Sequence, residues 1–403
     1  MVNVAIIGCG NISGAHIASY LKFPQRCKIV ALVDIFPEKA QAAKEKYDLH
    51  DAEVFASHEE MLNKMLGEVS KEMPKATSAG GKKIDLVSNC TPPYVHAQIA
   101  IDCMNRGLHM LVEKPMATCL AECDEMLEAE ARNGVILSCG AQNRFNDVIS
   151  KLKALADSKI AGRVRCAHVD SLWWRGHCYY DLWWRGTWEK EGGGPTLNHA
   201  VHQIDQINWL LGELPTEVTA VLSNVMHDNS ECEDLSFAIL KYADGALANV
   251  TSSVVHHGGN QSIVLQCENA KIAAPFSVSA EVSKPNGFGE VNAALEAEIT
   301  AAYEKLPTRE YEGFEGEIDD VLRAIETGGR PLISGLDGRK TVELITAIYK
   351  SGCLKQTVAL PLAKDDEFYT FDGILKNATR FYKKSASVEN LGDSNITHGN
   401  FKK

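Results

Sequence analysis

Residues 2–21 read VNVAIIGCGNISGAHIASYL. Val2 to Ile7 is a short unbroken apolar run, as expected of a parallel strand covered on both faces. It passes into Gly8-Cys9-Gly10-Asn11-Ile12-Ser13-Gly14 and then a helical pattern to Leu21. That is the strand, glycine turn, helix order of a dinucleotide fold. Gly8 permits the tight turn and Gly10 lets the backbone approach a pyrophosphate. Asn11 and Ile12 lead into a helix N-terminus whose free N–H groups suit that anion. The third fingerprint position is Ser13, a departure, but a small one.

Working outward, a second apolar strand, Ile29 to Val33, ends in Asp34, about where such folds place an acid for the adenosine ribose hydroxyls. Ile35-Phe36 supplies no Arg for a 2′-phosphate, so NAD is expected over NADP. Val54-Phe55 and a helix from about Ser57 continue the alternation of a doubly wound parallel sheet. Met73 to Lys83, with Pro74 and Gly80-Gly81, reads as an inserted surface loop. Two more buried strands follow. Ile84 to Asn89 ends in Cys90-Thr91-Pro92-Pro93, and His109 to Val112 ends in Glu113-Lys114-Pro115, both at the crevice where open parallel sheets bind ligands. A Lys held there beside a rigid Pro, partly desolvated, is a candidate general acid or base. Val135 to Ser138 closes the alternation before Gln142-Asn143-Arg144-Phe145.

Length and composition bound the rest. A chain of 403 residues exceeds one typical core and points to two domains. The formal charge of −12, without clustered Lys or Arg, argues against nucleic acid. No stretch approaches the roughly 20 apolar residues of a membrane span. The opening residues enter a strand without a signal-peptide pattern, so a cytoplasmic location is expected. The twelve cysteines are scattered with no CxxC pair, and they read as reduced structural thiols. No metal site is expected, His256-His257 included.

Trp173 to Asp205, WWRGHCYYDLWWRGTWEKEGGGPTLNHAVHQID, holds five of the six tryptophans. Leu172-Trp173-Trp174-Arg175-Gly176 recurs as Leu182-Trp183-Trp184-Arg185-Gly186, a local duplication. Aromatic faces suit sugar C–H groups, while Arg, Asn and Tyr suit hydroxyls. Trp173, Trp174, Tyr179, Tyr180, Trp183, Trp184, Arg185 and Trp188 are therefore substrate-side candidates. A helix is expected over Thr196 to Trp209, with Asn198 and His202 on one face and His199 turned away. Val218 to Leu222, Ser236 to Lys241, Ala246 to Val254 and Ser262 to Cys267 alternate as half-buried strands, with a hairpin turn at Asp244-Gly245. Ile318 to Thr327 and Lys340 to Cys353 read as helices.

Gly8-Cys9-Gly10, Thr91-Pro92, Glu113-Lys114-Pro115, Gly192-Gly193-Gly194 with His202-Gln203-Ile204-Asp205, and Gly335-Leu336-Asp337-Gly338-Arg339 together resemble the glucose–fructose oxidoreductase/inositol dehydrogenase (Gfo/Idh/MocA) family, over about residues 1–365. The resemblance implies an NAD-binding Rossmann domain over 1–145 and a substrate domain over 146–365. The latter would be α/β, built on a large open, mostly antiparallel sheet. A C-terminal extension, 366–403, is expected to pack on a neighbouring subunit. The resemblance also implies that Gly8, Gly10, Asn11, Ile12, Asp34, Thr91, Pro92, Glu113, Lys114 and Gln142 hold the cofactor. Arg144 is placed with the substrate residues. Lys114 matches the family's lysine and His202 its catalytic histidine. Asn198 stands where many members carry Asp, and Asn can orient a hydroxyl but not take its proton. Proton removal thus falls to Lys114 or His202.

The implied activity is NAD-dependent oxidation of a secondary ring hydroxyl, at C3, of a sugar or glycoside to a ketone, as in the family's glycoside 3-dehydrogenases. An NAD-dependent glycosidase acting through transient C3 oxidation and elimination, an inositol dehydrogenase and a non-catalytic sugar sensor are the alternatives. A homo-oligomer, dimer, tetramer or larger, formed through the open sheet face is also implied.

Overall fold

The computed structural model describes residues 1–67 and 84–389; the loop expected over Met73 to Lys83 and the chain from 390 lie outside the described residues. The chain forms two compact units. One is Met1–Gln142 with Tyr311–Arg339; the other is Asn143–Glu310 with the chain from Lys340 onward.

Among the described residues the first unit is a sheet of six parallel strands: β1 (Val2–Ile7), β2 (Cys27–Val33), β3 (Glu53–Phe55), β4 (Leu86–Asn89), β5 (His109–Val112) and β6 (Leu137–Cys139). Their order is β3-β2-β1-β4-β5-β6. The order reverses between β1 and β4, which opens a crevice at the carboxyl ends of those strands. Val4, Ala5 and Ile6 are fully buried, as the unbroken apolar run requires. Ser57 caps the helix His58–Leu66 by accepting from the Glu60 N–H at 3.2 Å. The helix Gly313–Thr327 returns to this unit from far along the chain. Its Ile318, Val321, Leu322 and Ile325 recur at helical spacing and join Val2, Ile17, Tyr20, Phe23 and Ile29 in one core cluster. Each such side chain contributes about 1.5–3 kcal/mol on burial.

The second unit is built, among the described residues, on nine strands: β7 (Val164–Trp174), β8 (Glu217–Ser223), β9 (Leu235–Lys241), β10 (Leu247–Ser253), β11 (Val255–Cys267), β12 (Ala270–Ala274), β13 (Ser277–Ser283), β14 (Gly289–Val291) and β15 (Val358–Ala359). The order is β14-β13-β12-β11-β7-β10-β9-β8-β15. The β7–β10 pair is parallel and the other pairs are antiparallel. On β9, Ser236, Ala238 and Leu240 are buried while Phe237 and Ile239 are half exposed, so one face is packed and the other open. The hairpin at Asp244-Gly245 forms as expected. Gly245 has φ +88° and the Asp244 carboxylate accepts from the Ala246 N–H at 3.0 Å.

One expected helix is two. Thr196 to Trp209 divides into Pro195–Asn198 and Val201–Leu211. The Ala200 N–H bonds to the Pro195 carbonyl, five residues back, at 2.8 Å. This wide turn absorbs one residue before the second helix starts. The Asn198 amide donates to the carbonyls of Gly193 and Gly194 at 3.0 and 3.3 Å. Asn198 and His202 therefore do not share the face of one regular helix.

The extension expected on a neighbouring subunit is, as far as residue 389, engaged by its own chain. Val388 bonds through its N–H to Asp181 and through its carbonyl to Trp183, at 2.7 and 2.9 Å. The Asn229 side chain accepts from the N–H groups of Ser385 and Ala386.

Candidate active site

The glycine turn after β1 touches the end of β4. A Cβ added at Gly8, whose φ is +87°, would lie 2.8 Å from the backbone of Cys90 and Thr91. A Cβ added at Gly10 would meet nothing within 4 Å, so the backbone there faces open space. Asn11 is exposed and Ile12 half-buried at the entry to the helix Ser13–Tyr20. The Ser13 hydroxyl donates to the Gly10 carbonyl at 2.6 Å, so the serine at the third fingerprint position supports the turn.

Asp34 at the end of β2 accepts from the Cys9 N–H at 2.8 Å and the Phe36 N–H at 2.9 Å, which fixes its carboxylate beside the glycine turn. Thr91, just before Pro92, donates its hydroxyl to the Asn89 side chain at 2.7 Å. The buried Gln142 side-chain oxygen has no partner among the described residues and can accept from a bound group. An open glycine turn, a fixed ribose-side carboxylate and a waiting acceptor fit a dinucleotide.

Lys114 follows β5. From Met110 to Leu120 every residue is buried except this lysine. Its neighbour Glu113, expected among the cofactor contacts, is 4% exposed. One Glu113 oxygen accepts from His16 Nε2 at 2.8 Å and the other from the Lys114 N–H at 3.0 Å. Burial alone would raise this carboxyl, but the bonds and charges of His16 and Lys114 hold it down at about 2. The Lys114–Pro115 peptide is cis.

In the second unit, every residue from Glu191 to Asn208 is buried except Asn198 and His202. Their segment is anchored by Glu233. Its carboxylate accepts from the Gly194 N–H at 3.2 Å, the Thr196 N–H at 3.0 Å and the Tyr349 hydroxyl at 3.1 Å. A Cβ at Gly194 would collide with Glu233, which explains the glycine. Burial pushes the Glu233 carboxyl up to about 7. His199 packs between Trp173 and Tyr179, ring centroids 5.7 and 5.8 Å away.

Two substrate-side expectations change. Arg144 is 2% exposed and its guanidinium makes two bonds to Asp205, at 2.8 and 2.7 Å, so it serves an internal ion pair. Tyr180 is 1% exposed, interior to the unit. The aromatic stretch is also less open than its composition suggests. The Arg185 guanidinium lies 4.1 Å from the ring centres of both Tyr179 and Trp184. Arg175 lies 5.2 Å from Trp173 and 5.3 Å from Tyr179. The two copies of LWWRG thus interleave around Tyr179 as a ladder of cations and rings, and each arginine covers a face expected to meet sugar. Glu191, 1% exposed, receives Arg185 at 2.7 Å. Trp188 is fully buried, while Trp174 is 46% exposed and stacks on His257.

His16, Glu191 and Glu233 went unassigned on sequence. Each is a buried ionisable residue; His16, just past the glycine turn, and Glu233 bond partners far along the chain, while Glu191, beside the glycine run, pairs with Arg185 six positions away. Among the described residues no group of three His, Cys, Asp or Glu is placed to hold a metal, and no helix is long and apolar enough to cross a membrane.

The strand order, glycine turn, Asp34 and strand-end lysine, in a chain that also carries an open mixed sheet, define a nucleotide-binding oxidoreductase of two units. Comparison with known families agrees. The model of an oxidoreductase family with an NAD-binding Rossmann fold matches residues 2–141, and that of the GFO/IDH/MocA C-terminal domain matches 149–273. The chain belongs to the Gfo/Idh/MocA family, and its cofactor is NAD. It is 26% identical over 268 residues to a 2,7-anhydro-N-acetylneuraminate hydratase of Mediterraneibacter gnavus, a match covering 66% of this chain and 65%, just under two thirds, of that protein. It is 24% identical to a myo-inositol 2-dehydrogenase of Thermotoga maritima, over 89% of this chain and 98% of the other. Among solved structures, the WlbA dehydrogenase of Bordetella pertussis in complex with NADH and UDP-GlcNAcA superposes with a TM-score of 0.72 at 26% identity, covering 90% of this chain and 99% of the other.

Proposed function

We propose that the protein is an NAD-dependent dehydrogenase that oxidises a secondary ring hydroxyl, at C3, of a sugar or glycoside to the ketone. The observation that carries this reading is accessibility. Two long buried stretches expose only Lys114 in one case and only Asn198 and His202 in the other, three groups that bind hydroxyls or move their protons. Lys114 takes the alcohol proton. His202 holds the reacting hydroxyl. Asn198, whose amide nitrogen is tied to Gly193 and Gly194, orients a neighbouring hydroxyl. NAD, held by Gly8, Gly10 and Asp34, supplies the hydride acceptor.

A dehydrogenase solved with NADH and a UDP-sugar acid, and a myo-inositol dehydrogenase, support a polyhydroxylated ring as the substrate class. A relative named as a hydratase, an activity with no net oxidation, favours one second reading: transient oxidation at C3, elimination, addition of water and return of the hydride from NADH to the ketone, with no net NADH. Its twelve free cysteines support a cytoplasmic location, where they would stay reduced. The open sheet face, with Val221, Phe237 and Ile239 at least half exposed, supports a homo-oligomer.

The test is NADH absorbance with purified protein, NAD and a panel of free sugars, inositols and aryl glycosides, beside Lys114→Ala and His202→Ala. The expected result is NADH with one class and a loss of about 10²–10⁴-fold in each variant. Release of an aglycone without NADH would select the elimination route. Full turnover in Lys114→Ala would remove Lys114 as the base.

A further inference from the structure

Two ionisable side chains lie wholly inside the first unit directly behind Lys114. His16, on the helix that starts at the glycine turn, is 0% exposed, and Glu113 is 4% exposed. Burying such a pair is rarely the most stable choice, since apolar residues of similar volume do as well or better. The bonding pattern shows what the pair accomplishes. His16 Nε2 meets one Glu113 oxygen at 2.8 Å, while His16 Nδ1 is buried without a partner among the described residues. Nε2 must carry a proton to bond a carboxylate, so His16 donates to Glu113. Glu113 then keeps its negative charge, and its other oxygen accepts from the Lys114 N–H at 3.0 Å.

The frame around this carboxylate is tight. A Cβ at Gly140 would come within 3.2 Å of the Lys114 nitrogen and 3.4 Å of a Glu113 oxygen. On the far side of Lys114, the ring of His96, 1% exposed, spans the carbonyls of Pro115 and Thr91 at 2.8 and 2.7 Å.

We propose that Glu113 is a positioning residue for Lys114, fixed in place by His16, and that its role is to set the charge beside the lysine rather than to contact the cofactor. This rests on the reading of Lys114 as the base. The other ionisable groups facing this carboxylate are the buried Cys90 thiol after β4, which burial and then Glu113 push up, and His96, which burial pushes down. Neither supplies an anion near neutral pH. The buried Glu317 carboxylate also faces Cys90 but accepts from the Ala141 N–H at 2.8 Å, whereas Glu113 bonds the Lys114 N–H itself and so adds a negative charge that favours the ammonium form of Lys114. With His96 holding the following residue, neutralising Glu113 changes the lysine's proton affinity without releasing its backbone.

The experiment is competitive acetylation of the full-length protein with trace labelled acetic anhydride across pH. Lys114 modification is read by mass spectrometry, and NADH binding reports that the unit is folded. Glu113→Gln, equal in size and uncharged, is expected to lower the Lys114 labelling midpoint by about one pH unit or more. His16→Leu, which frees the carboxylate, is expected to lower it part of the way. His16→Gln, whose amide still donates, is expected to restore it. An unchanged midpoint in Glu113→Gln overturns the inference. An unchanged midpoint in folded His16→Leu overturns the part assigned to His16, and if that variant does not fold, Glu113→Gln alone decides. The labelling needs no substrate, so full turnover in Lys114→Ala would remove the base assignment while leaving this result intact.

Discussion

Replacing Glu233 by Gln removes a charge from the interior of the second unit, and the effect is expected to depend on pH in a definite direction. The side chain is 0% exposed. Its carboxyl titrates near 4.5 when free and at about 7 in the folded chain, because burial outweighs the bonds from Thr196, Gly194 and Tyr349. Between those values the folded state holds a proton that the unfolded state has released. This contribution to stability is complete below pH 4.5 and is lost as pH rises through about 7. At roughly 1.4 kcal/mol per pH unit, the wild type loses about 3 kcal/mol over that range relative to a neutral isostere.

Glu233→Gln should therefore gain about 3 kcal/mol on the wild type between pH 4.5 and pH 8, whatever its absolute stability. All six tryptophans lie in the second unit, so their fluorescence during urea unfolding reports the relevant transition. With a slope of about 1–3 kcal/mol per molar urea, the difference in midpoint should move by roughly 1–3 M. A difference constant with pH, or one moving the other way, would refute the reasoning. It would mean that three donated bonds hold Glu233 ionised despite its burial.

Asp205→Asn removes the carboxylate charge that takes two bonds from the buried Arg144 guanidinium and should cost about 3–5 kcal/mol, read in the same unfolding curves, with Trp209 a local probe because Arg144 lies 5.4 Å from its ring. Gly8→Ala forces a side chain to φ +87° and into the backbone of Cys90. Equilibrium titration should show NADH binding weakened at least about tenfold, as expected for 1.4 kcal/mol or more of backbone strain. Asp34→Ala should weaken NAD by about 10–100-fold, the worth of charge-assisted hydrogen bonds, and adding Ile35→Arg should shift preference toward NADP, measured as the ratio of the two dissociation constants.

The first unit was legible because its signals are local. An apolar hexapeptide, a glycine turn and an acid at the next strand end occupy residues 2–34 in the order in which they act. Lys114 was legible for the same reason, at the end of a short apolar strand. What sequence did not show was pairing across distance. Glu113 meets His16 across 97 positions, Arg144 meets Asp205 across 61, and Glu233 meets Thr196 across 37. No local pattern announces such partners. The aromatic stretch misled in an instructive way. Its composition suggested open faces for a sugar, but each duplicated motif carries its own arginine, and those arginines settle on the rings first. The helix break after Asn198 depended on a side chain binding backbone carbonyls behind it, which periodicity does not register.

The helix Gly313–Thr327 belongs to the first unit's core yet is encoded long after that unit's last strand, which ends at Cys139. During synthesis the six strands emerge without it, and at about 5–20 residues per second the wait is roughly ten to forty seconds. Until then the surface formed by Val2, Ile17, Tyr20 and Phe23, later covered by Ile318, Val321 and Leu322, stays wet. Nor is the Ala141 N–H yet bonded to the Glu317 carboxylate that accepts it at 2.8 Å in the finished chain. The nascent protein thus presents a sticky apolar strip for much of its time on the ribosome, which is where a chaperone would bind and where an expressed fragment ending near residue 142 would aggregate.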